Sequence, residues 1–187
     1  ALPIWGGQRP FPRGSARGSS SSVDSPHDKL FKAAFSHTEE AAPLLRSILP
    51  TDLSATIEWS TLEVMPGSFV DEALRERRTD ILYSARTEDG QLHLLYVLLE
   101  HQSSVDPMMA LRMHEYVGRI LVRWRRERPK ARVLPRVVPI VLYAGARTWT
   151  APTAIEQLFD GEPTPWTPKM TFVLDDLPQV SDEALTG

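Results

Sequence analysis

Residues 96–102 read YVLLEHQ, an apolar run fit for the middle of a sheet that ends on a carboxylate, an imidazole and an amide. Side chains in a strand alternate, so Glu100 and Gln102 share one face and His101 takes the other. Asp80 stands near the start of the preceding strand pattern, RRTDILYSART, and Asp89-Gly90 between the two is a hairpin signal. Folding that hairpin pairs positions near 80 with positions near 99–100, which makes Asp80 and Glu100 cross-strand neighbours. Two carboxylates so placed repel each other, and one pKa rises. A divalent cation between them removes the conflict. Mg²⁺ takes oxygen ligands, commonly one or two carboxylates with waters and substrate phosphate; Mn²⁺ or Ca²⁺ would meet the same donors. Asp80 and Glu100 are therefore the candidate metal ligands. The plainer reading is a strand-end glutamate that is exposed or neutralised by Arg77, Arg78 or Arg112, because D-x19-E-x-Q is not a specific pattern on its own.

The elements around this pair predict an α/β fold with a mixed central β-sheet flanked by helices on both faces. Residues 1–24, rich in Gly, Pro, Ser and Arg and without periodicity, are expected to be a disordered tail, with one domain over 25–187. Order is expected from SPHDKLFKAAF, where Ser25 suits an N-cap and Pro26 the first helical position. A second helix, SHTEEAAPLLRSILP, turns Leu44, Leu45, Ile48 and Leu49 inward and stops at Pro50. The stretch ATIEWSTLEVMPGSFV predicts a strand packed through Ile57, Trp59, Leu62, Val64 and Met65. The run QLHLLYVLLEHQ predicts a strand covered on both faces. Pro107 opens a long helix with Met109, Met113, Tyr116, Val117, Ile120, Leu121 and Trp124 at helical spacing, and Pro129 ends it. VVPIVLYAG and KMTFVLDDL are the further strands.

Charge is unevenly spread. The chain of 187 residues carries a net −3, yet Arg112 to Arg136 holds nine Lys/Arg against two acids, a net +7 that leaves −10 elsewhere. Such asymmetry points to a polyanion on one face, or to cations favoured at a helix C-terminus by its dipole. Arg112, Tyr116, Arg119 and Arg123 fall on one helical face bordering the core, with Arg126 in the same basic run. With no cysteine, disulfides, thiolate zinc sites and cysteine nucleophiles are excluded. No apolar stretch reaches the roughly 18 residues of a membrane span, so no membrane partner is expected. The N-terminus lacks a signal-peptide pattern and an initiator Met, and the ending DEALTG closes no element. The expectation is a processed chain or a fragment, in a reducing compartment.

The stretches HDKLFKAAF, GSFVDEALRERRTDILYS, LLEHQSSVDPMMALRMHEYV and LPRVVPIVLYAG resemble the Rpn family. These are the recombination-promoting nucleases, also labelled YhgA-like transposases and assigned to the PD-(D/E)XK superfamily. The resemblance covers about residues 26–180, and the family pattern is expected to continue past residue 187. It implies a restriction-endonuclease-like core, Mg²⁺-dependent DNA endonuclease activity linked to recombination, a cytoplasmic location, and no small-molecule organic cofactor; a homo-oligomer stays open. Residue by residue, Asp80 matches the acid of the second strand, Glu100 that of the third, and Gln102 the place where many superfamily members carry Lys. Asp28 matches the first-helix acid, although it also fits a capping box with Ser25. Arg112 and Tyr116 match the helix after the active strand. Gln102 cannot exchange a proton usefully near neutral pH and would only hold a water or phosphate oxygen, leaving more of the work to the metal. Arg112, Tyr116, Arg119, Arg123 and Arg126 form the expected DNA-binding face. The alternative is a nuclease-fold module that binds DNA or a protein without cutting.

Overall fold

The computed structural model describes residues 35, 37–66, 80–100, 105–145 and 147–176, the side chains of residues 99 and 100 excepted. The tail over 1–24, the expected first helix with Asp28, His101 and Gln102 lie outside the described residues.

Helix α1 (Thr38–Ile48) carries Glu39 and Glu40 in its first turn and Arg46 in its last, charges of the sign that each helix end favours. It buries Ala41 and Leu45, with Leu49 following. Leu44, expected to face inward, is 42% exposed: the inward row steps from 41 to 45 to 49, and position 44 falls beside it. A short helix α2 (Thr51–Thr56) after Pro50 leads into strand β1 (Ile57–Val64). Strand β2 (Asp80–Thr87) and strand β3 (Leu92–Glu100) follow, then helix α3 (Met109–Glu127), strand β4 (Arg136–Tyr143), a 3-10 turn (Ile155–Leu158) and strand β5 (Val173–Asp176).

The five strands form one mixed sheet in the order β1-β2-β3-β4-β5. β1, β2 and β3 are an antiparallel meander. β4 joins β3 in parallel and β5 joins β4 in parallel. This α/β arrangement is consistent with a restriction-endonuclease-like core. The apolar run of β3 is explained by its central place: Leu94, Tyr96 and Leu98 face α3 and the 3-10 turn, while Leu95 and Val97 face α1. Each such buried leucine contributes about 1.5–3 kcal/mol relative to an exposed one. Helices therefore cover both faces, and the two clusters lock the register of β3, since a slip of one residue would exchange its two sets of side chains.

β1 departs from simple alternation. Glu58 pairs with Arg86 but Glu63 with Ser84, so residues between them bulge out of the ladder. The Thr61 hydroxyl fills the gap, donating to the Glu58 carbonyl at 2.6 Å and accepting from the Arg86 amide at 2.8 Å. Ile57 and Leu62 are buried as expected, but Val64, expected to pack, is 41% exposed because the bulge resets the alternation.

The turn between β2 and β3 also differs from a two-residue hairpin. The Thr87 amide bonds the Gln91 carbonyl at 3.0 Å and the Gly90 amide bonds the Thr87 carbonyl at 2.8 Å. Gly90 has φ +79°, a left-handed conformation that a side chain would strain. The loop therefore spans residues 88–90, and Asp80 pairs with Leu98 rather than with 99 or 100.

Candidate active site

Asp80 opens β2 directly opposite Leu98, on the sheet face that α3 covers. Position 100 lies two residues further along β3, so alternation places it on that same face as the diagonal neighbour of position 80. The two positions, expected as direct cross-strand neighbours, are thus diagonal ones. Glu100 is also in register with Tyr143 of β4, and Tyr143 with Asp176 of β5. Positions 100, 143 and 176 consequently form one row across the end of the sheet, with position 80 diagonal to it.

The Asp80 carboxylate is held from inside. The Tyr96 hydroxyl donates to Asp80 Oδ2 at 2.6 Å. Tyr96 is fully buried, and burial first, then the Asp80 charge, push its phenol far above the ordinary range, with the Arg112 charge working the other way. The phenol stays protonated and donates to the carboxylate. The Tyr116 ring meets Tyr96 edge-on at 5.8 Å between centroids. Arg112 lies over Tyr116 at 6.0 Å.

Arg112 is anchored at the start of α3. Its Nη1 reaches Asp106 Oδ2 at 2.6 Å with both side chains mostly buried, 17% and 21% exposed. The other oxygen of Asp106 accepts from the Met108 amide at 2.9 Å, a turn that leads the chain into the helix. A chain of contacts, two polar and two through aromatic rings, therefore links Asp106, Arg112, Tyr116, Tyr96 and Asp80. Asp106 and Tyr96 are absent from the sequence-derived set. Asp106 reads as a turn residue before Pro107, and Tyr96 as one more apolar member of a strand. The single available signal is that a polar-tipped residue stands on the same strand face as Glu100, four residues before it.

The remaining basic residues lie along the flank of the buried stripe of α3. Tyr116 is inside the core, 8% exposed. Arg119 pairs with Glu115 at 2.6 Å and Arg123 with Glu127 at 3.0 Å, both as neighbours four residues apart on the helix. Arg126 is exposed, and these residues line a groove of about 650 Å³ together with Gly118 and Val122.

A hard divalent cation is tested against this site by its donor chemistry. Asp80 offers an oriented carboxylate oxygen pair, and position 100 offers a second carboxylate on the same face, a set that suits Mg²⁺. Among the described residues no three His, Cys, Asp or Glu side chains converge on a metal position; the side chain of Glu100 is not among those described. Also among the described residues, no helix is long and apolar enough to cross a membrane.

Comparison with known proteins adds the family. The profile of the family described as "Putative transposase, YhgA-like" matches residues 25–187. The chain belongs to this family. Among its YhgA-like relatives, the recombination-promoting nuclease RpnD of Escherichia coli O157:H7 is 38% identical over 126 residues, 67% of this chain and 48% of RpnD. RpnC of Escherichia coli K12, also a recombination-promoting nuclease, is 39% identical over 123 residues, 66% of this chain and 40% of RpnC. A third, the inactive recombination-promoting nuclease-like protein RpnE of the same strain, is 36% identical over 125 residues, 67% of this chain and 41% of RpnE. The chain thus spans less than half the length of these relatives. No solved structure matches it.

Proposed function

We propose that this domain is a metal-dependent nuclease that hydrolyses phosphodiester bonds of DNA. The observation that carries the reading is the Asp80 carboxylate, held at 2.6 Å by the buried Tyr96 hydroxyl on the sheet face where the strand register also brings position 100. A phenol that fixes the orientation of a carboxylate is the kind of outer support that metal-ligating carboxylates carry. The names of the YhgA-like relatives support the same reading.

In this proposal Asp80 and Glu100 hold Mg²⁺, with Mn²⁺ or Ca²⁺ as substitutes. When bound, the ion lowers the pKa of a coordinated water and screens the phosphate charge. Tyr96 fixes the Asp80 carboxylate. Gln102 orients the attacking water through its amide, and Asp28 completes the acid set unless it serves only as a helix cap. Arg112, whose charge is felt at the Tyr96 phenol, is the phosphate clamp. Tyr116 supports it, and Arg119, Arg123 and Arg126 track the DNA backbone without reading sequence.

Supercoiled plasmid incubated with the protein tests the proposal. Nicking is expected with Mg²⁺ and not with EDTA, and Asp80→Ala or Glu100→Ala should each slow it by about 100-fold or more. Equal nicking by the variants would discard the site. A second reading, a module that binds DNA or a protein without cutting, is favoured by the name of RpnE. Salt-dependent DNA binding by a folded protein that never nicks plasmid would establish it.

A further inference from the structure

Gly118 stands in the middle of α3 and is exposed. Its backbone is ordinary helix, since positive φ among the described glycines is confined to Gly90 and Gly161. A Cβ built on it would meet nothing within 4 Å among the described residues. Neither its conformation nor its described neighbours therefore call for glycine, and glycine in a helix interior is less stable than alanine. A residue that weakens its own helix without any internal use fits a place where something from outside comes close to the backbone.

The surroundings say what that is. Gly118 makes a gap in the row Gly118, Val122 and Arg126, whose members are four residues apart on the helix. The adjacent row is Glu115, Arg119, Arg123 and Glu127, with each arginine drawn along the helix by its glutamate. Together the two rows line the groove of about 650 Å³, where Val122 is 55% exposed. Helix α3 holds five arginines against two glutamates, a net +3. A second copy of the helix laid in the groove would bring like charge to like, whereas a polyanion is attracted. We propose that the groove seats the sugar–phosphate backbone of DNA, with Gly118 as the point of closest approach. The missing side chain lets the strand settle against the helix backbone beside Val122, within reach of Arg119, Arg123 and Arg126. The inference rests on the reading of α3 as the DNA-binding face and fixes where on that face the strand lies.

Anisotropy of a fluorescein-labelled DNA duplex with the full chain, in EDTA so that no cleavage intervenes, tests this beside thermal melting. Gly118→Ala and Gly118→Leu place good helix formers at an exposed site, so both proteins should melt at or above the wild-type temperature. The dissociation constant should nevertheless rise about 3- to 10-fold with Ala and more than about 10-fold with Leu, equally across DNA sequences. A plain surface glycine predicts the gain in stability without the loss of binding. Wild-type affinity in both variants would overturn the proposal and leave the DNA-binding face standing. A wild type that sediments as a dimer, which Gly118→Leu splits, would also overturn it, because the groove would then belong to a second copy. A wild type that shows no salt-dependent DNA binding removes the DNA-binding reading and the proposal together.

Discussion

A phenol set inside a leucine-rich core must find a partner for its hydroxyl, and Tyr96 finds a carboxylate. Hydrogen bonds to charged groups contribute about 1.5–3 kcal/mol, so the contact stabilises the fold as well as aiming Asp80. The two roles separate in Tyr96→Phe. The ring still packs against Tyr116 and Leu82, while the Asp80 carboxylate loses its donor. The expected outcome is a folded protein with plasmid nicking reduced about 10- to 100-fold and Mn²⁺ binding weakened in parallel. A variant that is destabilised yet nicks at the wild-type rate per folded molecule would show that the Tyr96 hydroxyl does not aim Asp80 for the reaction. At this scale the sequence exposed the two candidate acids and hid the phenol that reaches Asp80. Asp80 and Glu100 stand out because a carboxylate at the end of an apolar strand breaks the pattern. Tyr96 does not, because tyrosine is at home in strands, and its donor role depends on a register that composition does not specify. The partner of Arg112 was hidden for a similar reason: Asp106 before Pro107 is also what a helix-entry turn requires.

Among the elements, β3 was the most legible, because a strand buried on both faces leaves a continuous apolar run. Its register was less so. The pairing of Asp80 with Leu98 depends on a turn that spans 88–90, and one extra turn residue moves every partner by one. The start of β3 carries a further consequence. His93 is buried, 1% exposed, and pairs in register with Arg136 of β4. Burial first, then the Arg136 charge, hold its imidazole below the ordinary value of 6.5, with the Gln91 carbonyl and Asp89 in the turn opposing. The folded state therefore resists a proton that the unfolded chain accepts. Stability from the neutral imidazole is present above about pH 6.5 and declines as pH falls through that value toward the folded pKa. Urea midpoints measured from about pH 7.5 to about pH 5.5 should fall more steeply for the wild type than for His93→Leu. Parallel curves would mean that the imidazole titrates alike in both states.

On the scale of the whole molecule, the uneven charge is the feature that sequence and structure jointly define. Helix α3 covers one face of the sheet with its apolar stripe and carries Arg119, Arg123 and Arg126 along the flank that begins, at Arg112, beside the acid end. Two of these arginines pair with glutamates on their own helix, but exposed pairs of this kind contribute only about 0.2–1 kcal/mol. A DNA phosphate can displace the glutamate at little cost and release counterions in doing so. If this flank is the proposed DNA track, the logarithm of affinity falls linearly with the logarithm of salt concentration, by about 0.9 per phosphate neutralised. Replacing Arg119, Arg123 and Arg126 together by alanine should lower that slope by about 2–3 and weaken binding equally across DNA sequences. With DNA at saturating concentration and low salt, the nicking rate of the triple variant should stay near wild type, because Asp80, Glu100 and Tyr96 are untouched. An unchanged salt slope would move the DNA to another face of the domain. A normal slope change with a collapsed saturated rate would instead place one of these arginines at the scissile phosphate.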